Sequence, residues 1–124
     1  MTAHTIPTTP VEVLDRTIAL LSDPANWTTD YFARDAKGQD VDVRSPDATC
    51  FCIMGAIERV TRGPENGERV TMEQIHTECD AEAALHAVLT KRLGDSNIAI
   101  FNDSASHEQV IEALTEARDS IKRA

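Results

Sequence analysis

The sequence predicts a helix-dominated α+β fold, a single domain of four to five helices with a small two- to three-stranded sheet. Three observations lead there. Apolar residues recur at helical spacing in several separate stretches, each preceded by a side chain able to cap a helix. Two short segments, "DVDV" and "NIAIFND", alternate or concentrate strand-forming residues. And 124 residues suffice for one hydrophobic core but not for two. The expected division is a flexible tail over residues 1–8, which carries His4, and one globular unit over 9–124.

In "PVEVLDRTIALLSDP", Val11, Leu14, Ile18 and Leu21 share a helical face, Thr9 can cap it, Pro10 suits its first turn and Pro24 lies past its end. The following stretch, 31–43, alternates clearly only in "DVDV". Lys37-Gly38 supplies a turn that tolerates positive φ, so a small hairpin competes with an irregular loop. "SPDATCFCIMGAIERVTRG" reads as a second helix running from a Ser45 cap to Gly63, with Cys50, Ile53, Met54, Ile57 and Val60 on one face and Cys52 on the opposite flank.

Thr71 and Gln74 have capping-box spacing, but the apolar phase changes near Cys79-Asp80. This predicts a short helix from Met72 to about Cys79. A longer one, capped by Asp80, then faces the core with Ala81, Ala84, Leu85, Val88 and Leu89. "NIAIFND" is the best strand candidate, with an edge of the 31–43 region as its partner. Ser106 and Gln109 form a further capping box, followed by the stripe Val110, Ile111, Leu114, Ala117 and Ile121. Glu108, Glu112 and Glu116 give that last helix an acidic, solvated face.

Twelve basic against twenty-one acidic residues leave a formal net charge of −9, which opposes direct binding to nucleic acid or to an anionic membrane. An acidic surface can meet a basic protein or imitate a phosphate backbone, although its commoner role is to keep a small protein soluble. No apolar run approaches the roughly 20 residues that cross a bilayer, and the first residues lack a secretory pattern, so a cytoplasmic protein is expected. In that reducing setting three cysteines form no disulfide scaffold.

The series "LLSDPANWTTDYFARDAKG", "SPDATCFCIMGAIERV" and "AIFNDSASHEQVIEAL" resembles a family of small uncharacterised proteins of bacteriophages and bacteria. The elements that carry the resemblance are Trp27-Thr28, Phe32 to Asp35, Cys50 to Ala56 in a Cys-x-Cys-x-x-Gly-Ala pattern, and Asn102-Asp103. They span the chain from about Leu20 onward. The resemblance implies a phage-type accessory protein and no known activity.

Chemistry at this set of residues has two forms. A thiol at a helix start, with a histidine and an Asn or Asp brought near by folding, makes a nucleophile: the histidine takes the thiol proton and the third group orients it. Cys52 would be the nucleophile, His76, His86 or His107 the base, and Asn102 or Asp103 the orienting group. The competing reading has Cys52 as a small packing residue and "FND" as a turn before the last helix. Cys50, Cys52, His76 and Cys79 make four zinc-competent side chains, but neighbours two apart on a helix point about 200° apart, so a metal is expected only if residues 48–52 are extended. No dinucleotide fingerprint, phosphate loop or paired-carboxylate signature is present, and no cofactor is expected.

Trp27, Tyr31 and Phe32, beside Arg34 and Asp35, are either a recognition surface or a satellite core that pins the long connection, with Arg34 and Asp35 as loop fixtures. The functional expectation is a small acidic accessory protein that binds a host or phage protein and inhibits a host function. The alternative is a thiol-dependent hydrolase or transferase using Cys52. Few aromatics and alanine-rich helix faces also leave room for a homodimer.

Overall fold

Thr9 opens the first helix, its hydroxyl accepting the Glu12 N–H, and Pro10 occupies the first helical position, where a missing N–H is harmless. In this computed structural model, which describes residues 5–94 and 97–123, that helix is α1, Pro10–Leu21. A single 3-10 turn, Pro24–Asn26, follows, then β1, Ala33–Arg34, and β2, Cys50–Phe51. Four helices complete the chain: α2, Ile53–Arg62; α3, Met72–Leu93; α4, Ile98–Ser104; and α5, His107–Arg123. α1 packs against α2, α3 and α5, so the core lies between these four helices. Leu14, Leu21, Ile53, Ile57, Leu85, Leu89 and Leu114 are its largest fully buried side chains. Thr17 is buried among them because its hydroxyl donates back to the Val13 carbonyl. The expected helix-dominated α+β class is therefore observed, with one two-stranded antiparallel sheet among the described residues. No helix among them is long and apolar enough to cross a membrane.

Four elements differ from the sequence reading. The helix expected from Ser45 begins only at Ile53: Ser45 caps a tight turn through Asp47 N–H and Ala48 N–H, and residues 50–51 are extended. β2 pairs with β1, Ala33 opposite Phe51 and Arg34 opposite Cys50, so "DVDV" forms no strand; Asp40 makes only an isolated bridge to Arg34. Gly38, at φ +80°, still turns the chain there, its N–H bonded to the Asp35 carbonyl.

α3 runs unbroken through Asp80. Its first turns face α2, through Gln74 to the Thr61 carbonyl and Glu78 to Arg62, while its last turn meets α5, through Arg92 to Glu116. The change of apolar phase is thus a change of neighbour along one helix. The same Arg92 pair takes Glu116 out of the purely solvated stripe expected on α5.

"NIAIFND" is a helix, not a strand. Asn97 caps it through the Ile100 N–H. Ile98 and Phe101, three apart, are 3% and 9% exposed, whereas Ile100, which strand alternation would place beside Ile98, is 60% exposed. A four-residue apolar run carries too little periodicity to separate the two. Of the expected tail, residues 1–4 lie outside the described residues; Thr5 accepts a hydrogen bond from Arg16 and Pro7 is buried.

Candidate functional site

Helical geometry in α4 turns Asn102 inward, where it is 1% exposed. Its carboxamide oxygen accepts the Trp27 indole N–H at 2.8 Å and the Ile53 N–H, the first amide of α2, at 3.0 Å. Its nitrogen donates to the Thr28 carbonyl at 3.1 Å and to Asp103 Oδ1 at 3.2 Å. All four positions of the group are used, and one of the orphan amides at the start of α2 is satisfied. Asp103 Oδ1 also accepts the N–H of Asp30, whose φ of +71° is unusual for a residue other than glycine.

The Cys-x-Cys-x-x-Gly-Ala stretch belongs to the same construction. Cys52 N–H donates to the Phe32 carbonyl, and Thr28 N–H to the Phe51 carbonyl. A Cβ on Gly55 would stand 2.0 Å from the Phe32 oxygen, so the approach of the two segments requires glycine at that position. Cys52 is the N-cap of α2, its sulfur accepting the Gly55 N–H at 3.3 Å. The four elements of the family resemblance thus meet around Asn102.

The expected placement of the cysteines is reversed: Cys52 is buried and Cys50 half-buried, because this stretch is extended rather than helical. Burial pushes the Cys52 thiol above its ordinary pKa and Asp103 adds to the rise; the backbone N–H groups of Gly55 and Met54 oppose it without cancelling it. Cys52, Asn102 and Asp103 line one cavity of about 270 Å³, and among the described residues no histidine lines it. His76 lies in a different cavity, lined also by Arg44, Glu68 and Arg69. His107 tilts against Trp27, ring centroids 5.8 Å apart, and its Nε2 meets the Leu21 carbonyl. His86 sits half-buried within α3. Cys79 is exposed on α3, and no three His, Cys, Asp or Glu side chains among the described residues are placed to hold a metal ion.

The aromatic trio divides. Trp27 packs against the core, but Tyr31 and Phe32 are 44% and 53% exposed and form a wall of the 270 Å³ cavity. Arg34 lies over Tyr31, 4.3 Å from the ring centroid, donates to the Thr29 carbonyl, and keeps a buried Nε without a partner. Asp35 accepts from the Lys37 and Gln39 amides and so fixes the turn at Gly38. Missed in the sequence were Asp30, Asp40 and Ala99, which complete the cavity.

Fold and site together define a small helical α+β domain whose polar motif residues knit the frame of an open cavity flanked by aromatics. The chain belongs to a family of unknown function, DUF6197, whose model matches residues 5–120. No curated protein and no solved structure matches it.

Proposed function

We propose that this protein is a small acidic accessory protein of phage type that acts in the cytoplasm by binding another protein, of the host or the phage, through the surface that Tyr31 and Phe32 present. The observation that carries this reading is a division of labour: Asn102, Asp103 and Cys52 hold the frame by hydrogen bonds, while the two neighbouring aromatics stand exposed beside a cavity. Exposed aromatics over a rigid frame are the residues that most often supply binding energy at interfaces. The raised thiol pKa of Cys52 and the absence of a histidine from its cavity, among the described residues, favour binding over thiol catalysis.

Photo-crosslinking in producing cells tests this. A crosslinking amino acid at Phe32 is expected to trap one discrete protein species, and the same group at Glu108, exposed on α5, is expected not to. The Cys52→Ser variant should give the Phe32 product unchanged. Loss of biological effect in Cys52→Ser with folding intact, or no product specific to Phe32, would overturn the reading.

A further inference from the structure

We infer that the cavity beside Tyr31 and Phe32 receives a basic side chain, lysine or arginine, from the partner protein. The inference rests on the binding reading above and adds the chemistry of what is bound. Tyr31, Phe32 and Ala99 supply an apolar wall, and Asp30, Asp40 and Asp103 stand around the same space. A volume of about 270 Å³ lies below the range of cofactor and drug pockets and suits one long side chain.

The charges choose which side chain. The ion pairs among the described residues engage Glu12, Glu65, Glu78, Glu116, Asp15 and Asp119, and none engages Asp30, Asp40 or Asp103. Three carboxylates that form no ion pair among the described residues line the opening, and Arg34, held over Tyr31 and bonded to Thr29, stands beside it without lining it. One cation against three anions leaves the opening negative. A lysine or arginine of a partner would lay its methylenes along the aromatic wall and set its charged head among the carboxylates. One of the three is held in advance, since the Asp103 carboxylate accepts from Asn102 and from the Asp30 amide, which lowers the ordering cost of binding.

Amide-resolved NMR titration with the peptides Ac-Gly-Lys-Gly-NH2 and Ac-Gly-Arg-Gly-NH2 tests the proposal, with the norleucine peptide as uncharged control. The Asp30→Asn/Asp40→Asn double variant removes charge at two exposed positions, and Asn tolerates the positive φ at residue 30. The expected result is that both basic peptides perturb Tyr31, Phe32 and Ala99. Binding should fall about tenfold or more with norleucine or the double variant, and weaken with salt. Equal binding of norleucine, perturbations mapping elsewhere, or tighter binding of free spermine than of either peptide would each overturn it. If Phe32 crosslinking persists undiminished in the double variant, the basic occupant is wrong while the binding reading stands; if it disappears from the parent protein as well, the binding reading itself is wrong.

Discussion

The Asn102 carboxamide oxygen accepts the Trp27 indole N–H across 75 residues of chain and, on its other lone pair, the first amide of α2. Two ends of the sequence are held together by one buried group with no unused bonding capacity. Asn102→Leu would keep the branching of the side chain and strand the Trp27 and Ile53 donors and the Thr28 carbonyl. Each buried group left unsatisfied costs roughly 1–3 kcal/mol, so urea unfolding should show a loss of about 3 kcal/mol or more. An unchanged midpoint would mean that the network is replaceable by water.

Gly55→Ala sets two effects of opposite sign against each other. Within a helix alanine is favoured by about 1 kcal/mol, and φ at this position is ordinary. The 2.0 Å approach of the Phe32 carbonyl forces backbone apart and outweighs propensity, because overpacking at a rigid contact costs about 1–3 kcal/mol or more. Thermal unfolding is expected to show net destabilisation, accompanied by amide shifts at residues 31–33.

Thiol labelling separates capping from catalysis. In the folded protein Cys79 and Cys50 should alkylate ahead of Cys52, whose sulfur is buried and whose pKa is raised by burial. Cys52→Ser retains a cap acceptor and should unfold near the parent, whereas Cys52→Ala should lose about 1 kcal/mol. Peptide mass spectrometry after timed alkylation, with denaturation curves of both variants, reads the two outcomes.

Between α2 and α3, burial and then the charges of Glu78 and Glu58 push the Glu82 carboxyl up to about 7, against the opposing pull of Arg62. Glu78 is itself buried and held by Nε and Nη2 of Arg62, at 3.0 Å each. Folded Glu82 therefore keeps a proton that the unfolded chain releases above its ordinary value of 4.5. Its stabilising contribution is complete below that value and is lost as pH rises through about 7. Partial exposure to solvent screens the effect to about 1 kcal/mol. Unfolding by urea at about pH 5.5 and pH 8 should show this decline in the parent and a flatter profile in Glu82→Gln.

Local signals were legible where a few residues in sequence decide the outcome. Thr9 with Pro10, Thr71 with Gln74 and Ser106 with Gln109 each form the cap their spacing predicts. The inward faces of α3 and α5 also follow from spacing, since Ala81, Leu85, Val88, Leu89, Val110, Leu114 and Ala117 are buried. The candidate site was legible only as a set of names. Cys52, Asn102 and Asp103 do share a cavity, but His76 lies elsewhere, and the carboxylates that complete the cavity carry no local signature.

What the sequence determined by itself was the helix-dominated class and the starts of three helices, because caps and apolar periodicity act within one or two turns. Tertiary structure decided the rest. Strand or helix at Ile98–Ser104 turned on which face Phe101 and Asn102 could bury, and helix or strand at Cys50–Phe51 turned on pairing with Ala33–Arg34. Both depend on partners some fifteen to seventy-five residues away, and a buried amide that must satisfy every bond selects the local conformation that lets it do so.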